Sequence, residues 1–505
     1  MKQSHISLRR IRFTCLPRCI DQSGRSSQAD RVPTQIGQQI QRRQFAVYAV
    51  GEGWTGALGN SNLQRTILGH HDEEESEPPE LIYPHSVRQV SVGWGCTSLL
   101  TDEEDERGAN KLLVIGRPQD FVSLLRLNRL PKVVRQWSSQ ASTTTGDSAQ
   151  TTIVGSMISS AIGWATGIND NDGQKWESAK QLSNLHDWTE ISAPNETAFT
   201  QVVSSAGFST VLGASGTIYS FGVNSRGQCG VGTTSNNIWT PQPVVGLSTA
   251  SKSKTSSKVI EQEDPIASIS LGLQHGLALS TSGKAYSWGK AGRGQLGREL
   301  NSDQDPTAKP IDLKFALGGG STRVVVTQIS SGMHHGALLT SNNQVLTWGK
   351  NSAEEENESG KWDDVRVPRI VNGLPESRKV AKISCGSHHT SILLDDGSIY
   401  AFGIAADESV PIMKPVQLVP PGVIAMPCRQ FEAHHDRTTI IGSDGQVFQV
   451  HLWNDEGLRD YALFTPSWAE QLRDQQQDVL SVHRGWLHTV IITRDMKRHN
   501  ILGTR

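Results

Sequence analysis

The segment ISLGLQHGLALS at residues 269–280, followed by AYSWG at 285–289 and GQLG at 294–297, decides the fold of this chain. Within the first two segments apolar residues alternate with small or polar ones, as they do in half-buried β-strands. Glycines stand where the chain has to turn and a side chain would be a hindrance. We therefore predict a strand in each of the first two segments, with permissive turns between and after them.

The same unit recurs farther along the chain in the same register. ISSGMHH at residues 329–335 precedes VLTWG at 345–349, and ISCGSHH at 383–389 precedes IYAFG at 399–403. The first glycines of the three copies are 60 and 54 residues apart. Such spacings are close to the blade length of about 40 to 50 residues that β-propellers show, with loop insertions added.

Weaker copies on both sides bring the count of units to seven. The positions equivalent to the first glycine are Gly93, Ser205, Gly272, Gly332, Gly386, His434 and Gly485. The last copy lacks its second half, which stands at the other end of the chain as VYAVG at 47–51. A ring that begins in mid-blade pairs strands from both termini and leaves no open sheet edge. The sequence therefore predicts an all-β protein, a seven-bladed β-propeller with ring closure between the N- and C-terminal strands.

The repeated glycine, histidine and aromatic positions are predicted to be structural. Glycine permits close approach of main chains near the axis, histidine can hydrogen-bond backbone groups of the next repeat, and the aromatic residue faces a neighbouring blade. The predicted structural positions are Gly93, Gly272, His275, Trp288, Gly289, Gly332, His335, Trp348, Gly349, Gly386, His389, Phe402, Gly403, Gly485 and His488.

Adjacent histidines raise the alternative of a metal site, because they occur at 334–335, 388–389 and 434–435. Side chains alternate along a strand, however, so neighbouring histidines point to opposite faces. No carboxylate or cysteine recurs beside them at ligand spacing, and no Gly-x-Ser-x-Gly elbow for a nucleophile is present. We therefore predict no metal, no cofactor and no catalytic residue.

Composition narrows the class of protein further. The formal net charge of -2 excludes a basic field over the whole chain, so any contact with a polyanion has to be local. The six cysteines contain no C-x-x-C pair, which argues against a zinc site or a disulfide framework and favours a reducing compartment. No apolar run reaches the roughly 18 residues that a membrane-spanning helix needs.

The first 43 residues differ from the rest, with nine Lys or Arg against two Asp. An Arg-rich, acid-poor and Ser-containing leader predicts mitochondrial targeting, followed by cleavage before Phe45. The alternative is a disordered basic tail, such as a nuclear or RNA-binding arm. The predicted location is thus mitochondrial, in the matrix or at the inner membrane, with a nuclear or cytoplasmic location as the alternative.

The remaining chain is predicted to be a propeller at 45–495 and a tail at 496–505. An insertion at 117–195, which carries no repeat, interrupts the propeller and is expected outside the ring as a lid, a partner loop or a linker. The Lys- and Ser-rich segment at 250–263 is predicted to be a flexible loop.

The repeats resemble those of the regulator-of-chromosome-condensation family over most of residues 45–495. Within that family, GEGWTGALG at 51–59 and GVNSRGQCG at 222–230 are most similar to its mitochondrial regulator-of-chromosome-condensation-like branch. The resemblance implies a guanine-nucleotide exchange factor, as in the founding nuclear member, or a role in mitochondrial ribosome or ribosomal-RNA function.

Three functions follow as hypotheses. The leading one is a non-enzymatic mitochondrial scaffold, a monomeric propeller that binds ribosomal RNA or assembly factors, and it predicts a basic patch on one propeller face. The second is an exchange factor for a mitochondrial small or dynamin-like GTPase. The third is a general interaction propeller for respiratory-complex or organelle assembly. The sequence identifies no partner-binding residue.

Overall fold

Thirty β-strands and one short helix form the regular structure of the described residues. The computed structural model describes residues 45–51, 80–83, 85–94, 96–104, 110–116, 188–193, 198–247, 250–255, 258–313, 324–350, 364–403, 412–435, 437–451, 463–485 and 488–496. The predicted leader, most of the predicted insertion and nearly all of the predicted tail lie outside these residues, so those boundaries stay predictions.

Twenty-eight of the strands form seven antiparallel sheets of four strands each, which are the blades. Blade 1 contains β3 (Val87–Val92), β4 (Cys96–Glu104), β5 (Asn110–Gly116) and β6 (Thr189–Ile191). Blade 2 contains β7 (Phe199–Ser204), β8 (Phe208–Gly213), β9 (Ile218–Asn224) and β10 (Ser235–Pro243). Blade 3 contains β13 (Ile266–Leu271), β14 (His275–Ser280), β15 (Ala285–Lys290) and β16 (Gln304–Pro310).

The other four blades repeat this order. Blade 4 contains β17 (Val326–Ser331), β18 (His335–Thr340), β19 (Val345–Gly349) and β20 (Val365–Ile370). Blade 5 contains β21 (Val380–Cys385), β22 (His389–Leu394), β23 (Ile399–Gly403) and β24 (Ile412–Val419). Blade 6 contains β25 (Gln430–Ala433), β26 (Arg437–Ile441), β27 (Val447–His451) and β28 (Leu463–Phe464). Blade 7 contains β29 (Gln477–Arg484), β30 (His488–Asp495), β1 (Phe45–Gly51) and β2 (Glu80–Tyr83).

Blade 7 joins the two ends of the propeller. The first strand, β1, pairs antiparallel with β30 from Phe45↔Arg494 to Gly51↔His488. Val47 and Ala49 of β1 are buried with Val490 and Ile492 of β30. The predicted seven-bladed propeller and its closure between N- and C-terminal strands are therefore confirmed.

The burial of each strand follows its place in the blade. All six residues of β14 are buried, as are those of β18, because neighbouring blades cover both faces of a second strand. The outer strand β10 is largely exposed. The apolar core consequently lies between blades rather than inside any one of them: Trp288 of blade 3 is fully buried in one cluster with Phe208 of blade 2.

Two segments differ from the sequence prediction. Residues 250–263, predicted to be a flexible loop, form the hairpin of β11 (Ala250–Thr255) and β12 (Lys258–Glu263). A polar composition indicates solvent exposure, and exposed strands can still satisfy their main chains by pairing with each other. In addition, β6 lies within the segment assigned to the insertion and completes blade 1 by pairing with β5.

The helix α1 (Ser467–Asp474) lies between blades 6 and 7. Its buried residues Trp468, Ala469 and Leu472 lie on one face and pack with Ile441 and Val482. Blade 6 has an outer strand of only two residues, so α1 covers apolar surface beside it. Among the described residues no helix has both the length and the apolar composition to cross a membrane.

Candidate functional site

A narrow channel runs along the propeller axis. The first strands of all seven blades and the turns that follow them line a cavity of about 300 Å³. We call the end of the propeller with these turns the turn face. The loops after the third strands lie at the same face because consecutive strands are antiparallel, and we call the other end the return face.

Glycine and histidine pack together at each of the best-preserved turns. A Cβ atom added to Gly332 would overlap the ring of His335 and would lie 2.6 Å from the carbonyl oxygen of Gly386 in the next blade. Gly272 and Gly386 have the same surroundings, each with the histidine of its own turn. Only glycine therefore allows the ring and the neighbouring main chain to approach this closely.

The repeat histidines make contacts between blades. Nε2 of His335 lies 3.1 Å from the Thr390 hydroxyl of blade 5, and Nε2 of His488 lies 2.9 Å from the Thr97 hydroxyl of blade 1. Burial lowers the pKa of both rings to about 3, and these rings are therefore neutral near pH 7. The partners of these two rings are hydroxyl groups, whereas His275 interacts with a backbone group of His335 in the next blade, the kind of partner that the sequence analysis had expected.

The tryptophan of Y-x-W-G connects its blade to the preceding one. Nε1 of Trp288 donates to the carbonyl oxygen of Gln228 and Nε1 of Trp348 donates to that of Gln295, both at 2.9 Å. The next residues, Gly289 and Gly349, have φ of 102° and 106°. Phe402 and Gly403 occupy the same positions in β23, where Phe402 is partly buried.

Glutamine side chains clamp neighbouring first strands, which the sequence analysis missed. Nε2 of Gln328 donates to the carbonyl oxygen of Ala381 at 2.9 Å, and its Oε1 accepts from the N–H of Ile383 at 3.1 Å. Gln89, Gln201 and Gln430 form the same pair of bonds with the next blade. Each glutamine stands four residues before the turn position, and that spacing was a readable signal.

Blades 6 and 7 depart from this neutral pattern. Glu432 is the one carboxylate among the described residues that line the channel, and 40% of its side chain is exposed there. Its Oε2 atom lies 3.3 Å from Nδ1 of His483 and accepts from Nε2 of Gln430 at 2.6 Å. Burial alone would raise the pKa of Glu432, but His483, His434 and Gln430 together lower it to about 2.

A cluster of cations lies on the turn face across blades 2 to 4. Arg226, Lys290, Arg293 and Lys350 belong to the loops or loop starts after the third strands, and we call them the basic patch. Burial lowers the pKa of Lys290, and the charges of Arg226 and Arg293 lower it further while Asp303 opposes them. Arg293 is paired with Asp364 at 3.2 Å.

The basic patch was not identified residue by residue from the sequence, although the scaffold hypothesis predicted a patch on one face. Each loop supplies only one or two cations, and the ring brings them together. A partial signal exists in the repeated tripeptide WGK at 288–290 and 348–350. Where the coordinates describe the chain, no three His, Cys, Asp or Glu side chains are grouped so that they could hold a metal ion.

Family models match the central blades. Residues 215–279 and 282–339 match the model described as the regulator of chromosome condensation (RCC1) repeat, and a second model of that description matches 266–295, 326–353 and 380–405. The human probable E3 ubiquitin-protein ligase HERC6 is 30% identical over 189 residues, which are 37% of this chain and 16% of that protein. Protein pim1 of Schizosaccharomyces pombe is 31% identical over 170 residues, 32% of this chain and 29% of that protein. The chain thus spans less than a third of the length of either relative.

Solved structures extend the likeness of the fold to the whole ring. Prp20p of Saccharomyces cerevisiae, described with its binding properties to Gsp1p and histones, has a TM-score of 0.57 at 16% identity, over 91% of this chain and 93% of that one. Human WBSCR16 has a TM-score of 0.57 at 16% identity, over 89% and 99% of the two chains.

The ring of seven four-stranded blades with a clamped axial channel defines the class of this protein as a β-propeller. Its central blades carry the glycine, histidine and tryptophan contacts of a single repeat, and they match the RCC1 family models. Residues 215–353 and 380–405 thus match RCC1 repeats within a seven-bladed β-propeller, and the predicted RCC1 repeats are confirmed for this part of the chain.

Proposed function

We propose that this RCC1-type propeller is a non-enzymatic mitochondrial scaffold that uses the turn face to bind an anionic partner, either ribosomal RNA or a ribosome assembly factor. The observation that carries the proposal is the basic patch. Its cations lie close enough together that Arg226 and Arg293 lower the pKa of Lys290. A chain with a net charge of only -2 gathers them on one face.

Electrostatic considerations support a partner contact at this face. Like charges held together repel each other, and an anionic partner relieves that repulsion while releasing its own counterions. Arg226 is exposed, and the Lys350 side chain forms no hydrogen bond or ion pair within the described part of the chain. As far as the described residues are concerned, these groups are therefore available to a partner without loss of an ion pair.

Co-sedimentation with mitochondrial ribosomal subunits tests the proposed partner. Replacing Arg226, Lys290 and Lys350 by glutamate should weaken co-sedimentation strongly and reduce the slope of its salt dependence by about one unit for each lost phosphate contact. A control replaces Lys379, which is exposed on the return face, by glutamate. Equal loss in both variants, or no binding by the parent chain, would refute the proposal.

The mitochondrial location is proposed from the leader, with its nine Lys or Arg and two Asp in residues 1–43. A fluorescent tag at the C-terminus should place the full chain in mitochondria and leave a chain lacking residues 1–43 outside them. Nuclear accumulation of the full chain would favour the alternative of a basic nuclear arm.

The alternative function is guanine-nucleotide exchange on a mitochondrial small or dynamin-like GTPase. Support comes from the family resemblance and from Prp20p, whose structure was described together with its binding to Gsp1p. Purified protein should then accelerate release of a fluorescent guanine nucleotide from such a GTPase. No acceleration across a panel of mitochondrial GTPases would eliminate this function.

A further inference from the structure

A small pocket opens on the turn face where blades 4 and 5 meet. His334, Lys350, Ser387, His388 and Phe402 are among the residues that line it, and its volume is about 30 Å³. That volume exceeds the 10 to 15 Å³ that a single water needs. The pocket can therefore hold about two waters, or about two oxygen atoms of an anion that lies at its mouth.

The main chain fixes the polar side chains of the pocket. The N–H of Lys350 donates to the carbonyl oxygen of His334 at 2.9 Å, which places the two residues side by side. The N–H of Met333 donates to the carbonyl oxygen of Ser387 at 3.0 Å and ties the two turns together across the blade boundary. The lining groups consequently keep their relative positions whether or not the pocket is filled.

Two of these groups have no partner among the described residues. Within that part of the chain, Nδ1 of His334 is buried without a hydrogen-bond partner. No hydrogen bond or ion pair of the Lys350 amine is found in the part of the chain that the structure describes. A buried polar atom without a partner is costly, and it is usually satisfied by water or an ion.

The electrostatic surroundings select the sign of that ion. Burial first, and then His275, Lys290, His388 and Lys350 in that order, together lower the pKa of His334 to about 3. Every one of these neighbours is a cation or a histidine, and none is a carboxylate. A positive potential in a partly enclosed pocket attracts an anion and repels a metal ion.

Blade 3 shows the closed form of the same arrangement. There Gln274 stands at the position of His334 and Lys290 at that of Lys350, and Nζ of Lys290 donates to Oε1 of Gln274 at 3.1 Å. Histidine in place of glutamine removes that carbonyl acceptor. The lysine of blade 4 therefore lacks the partner that satisfies the lysine of blade 3.

We propose that this pocket is a binding site for a phosphate-sized oxyanion. Lys350 supplies the charge, and the His334 ring and the Ser387 hydroxyl supply hydrogen-bond donors. The site lies at the edge of the basic patch, so the inference rests on the proposed function for its choice of face. It adds a defined phosphate subsite to a surface whose other cations act through long-range charge.

Nuclear magnetic resonance of ¹⁵N-labelled histidine in the full chain tests the site with inorganic phosphate as the probe. Phosphate should shift the His334 ring resonances in a saturable manner. The His334→Gln variant, in which binding is followed through the His388 ring that also lines the pocket, copies blade 3 and should weaken phosphate binding about tenfold, as expected for loss of one charge-assisted hydrogen bond. Lys350→Gln should do the same, whereas Lys379→Gln removes an equal charge on the return face and should change binding less than twofold.

A single-stranded oligonucleotide in a second titration separates the two sources of phosphate. Saturable shifts of His334 with both probes support the subsite and a nucleic-acid partner. Shifts with inorganic phosphate alone support the subsite and count against the nucleic-acid form of the proposed function. Oligonucleotide binding without any shift of His334 overturns the subsite and leaves the proposed function standing. Equal weakening in all three variants also overturns it, because general charge screening would then explain the binding.

Discussion

Gly332 lies at a turn of a blade where the propeller leaves little space for a side chain. The His335 ring and the Gly386 carbonyl oxygen occupy the position that its Cβ would take. Such an overlap can be relieved only by moving main chain or a buried ring that is itself bonded to the next blade. Selection of glycine at this position is thus explained by packing between blades rather than by contact with a partner.

Gly332→Ala is therefore expected to lower the free energy of unfolding by about 2 to 4 kcal/mol. Chemical denaturation followed by tryptophan fluorescence measures the change. Gly292→Ala is the matched control, since the nearest atom to its added Cβ would be 3.7 Å away, and it should stay within about 0.5 kcal/mol of the parent. Similar stability of the two variants would contradict the packing argument.

The buried histidines make stability depend on pH in a defined direction. His488 has its pKa lowered to about 3 by burial and then by Arg484, and His275 has its pKa lowered to about 4 by burial. In the unfolded chain a histidine binds its proton near pH 6.5. Between these values the unfolded chain binds more protons, so stability falls as the pH is lowered from about 6.5 toward 4.

His488→Gln should make that decline shallower by up to about 1.4 kcal/mol per pH unit, because one proton-linked group is removed. Thermal unfolding between about pH 4 and about pH 7.5, a range that includes the decline below the unfolded pKa of about 6.5, measures the slope. His85→Gln, at an exposed position, should keep the slope of the parent. An unchanged slope in His488→Gln would show that this ring does not stay neutral in the folded chain.

At the scale of the strand, the clamp between first strands matters most. The first strand of each blade presents main-chain groups toward the channel, and an unpaired strand edge is a liability in water. Gln328 satisfies the N–H of Ile383 and the carbonyl oxygen of Ala381. The glutamine side chain of one blade thereby occupies main-chain groups of the next blade to which a fifth strand could otherwise pair.

Gln328→Ala should destabilise the protein by about 1 to 3 kcal/mol, since two hydrogen bonds are lost and buried groups are left unpaired. Urea denaturation provides the value. The matched control is Ser268→Ala in blade 3, where the equivalent position holds no glutamine and forms no clamp, and a change below about 0.5 kcal/mol is expected. If both variants had the same free energy of unfolding, the clamp would not contribute to stability.

Strand positions could be predicted from the sequence because the glycine register repeats in β13, β17 and β21. The clamp was missed although the glutamines recur four residues before the turn position, because that spacing shows a role only when the next blade is placed beside it. The hairpin of β11 and β12 was missed for a different reason. Its Lys- and Ser-rich composition reports contact with solvent, and that property is shared by loops and exposed strands.

At the scale of the whole molecule, the charge distribution resists prediction from the sequence. Arg226 and Lys350 are more than a hundred residues apart in sequence, and they lie on one face because blades 2 to 4 follow one another around the axis. The sequence supports the expectation of a local patch, through the low net charge and the family resemblance. The residues of the basic patch can be identified only when the arrangement of the blades around the propeller axis is known.

Closure of the ring predicts a sharp limit to N-terminal truncation. A chain lacking residues 1–43 keeps all of β1 and should unfold cooperatively like the parent. A chain lacking residues 1–51 loses the seven register pairs between β1 and β30 and should show no cooperative transition in circular dichroism. Cooperative unfolding of the shorter chain would mean that β30 closes the ring without β1.

Blade 7 contains strands from both ends of the propeller, and it can therefore form only late in synthesis. Blades 1 to 6 are each built from strands that follow one another in sequence, so each can form soon after it is translated. Of the described strands, β1 is made first, yet its partner β30 is the last to leave the ribosome. Until then the nascent chain exposes Val47, Val87 and Leu99, which are buried together in the finished ring. Such a chain needs protection from aggregation until its last strand arrives.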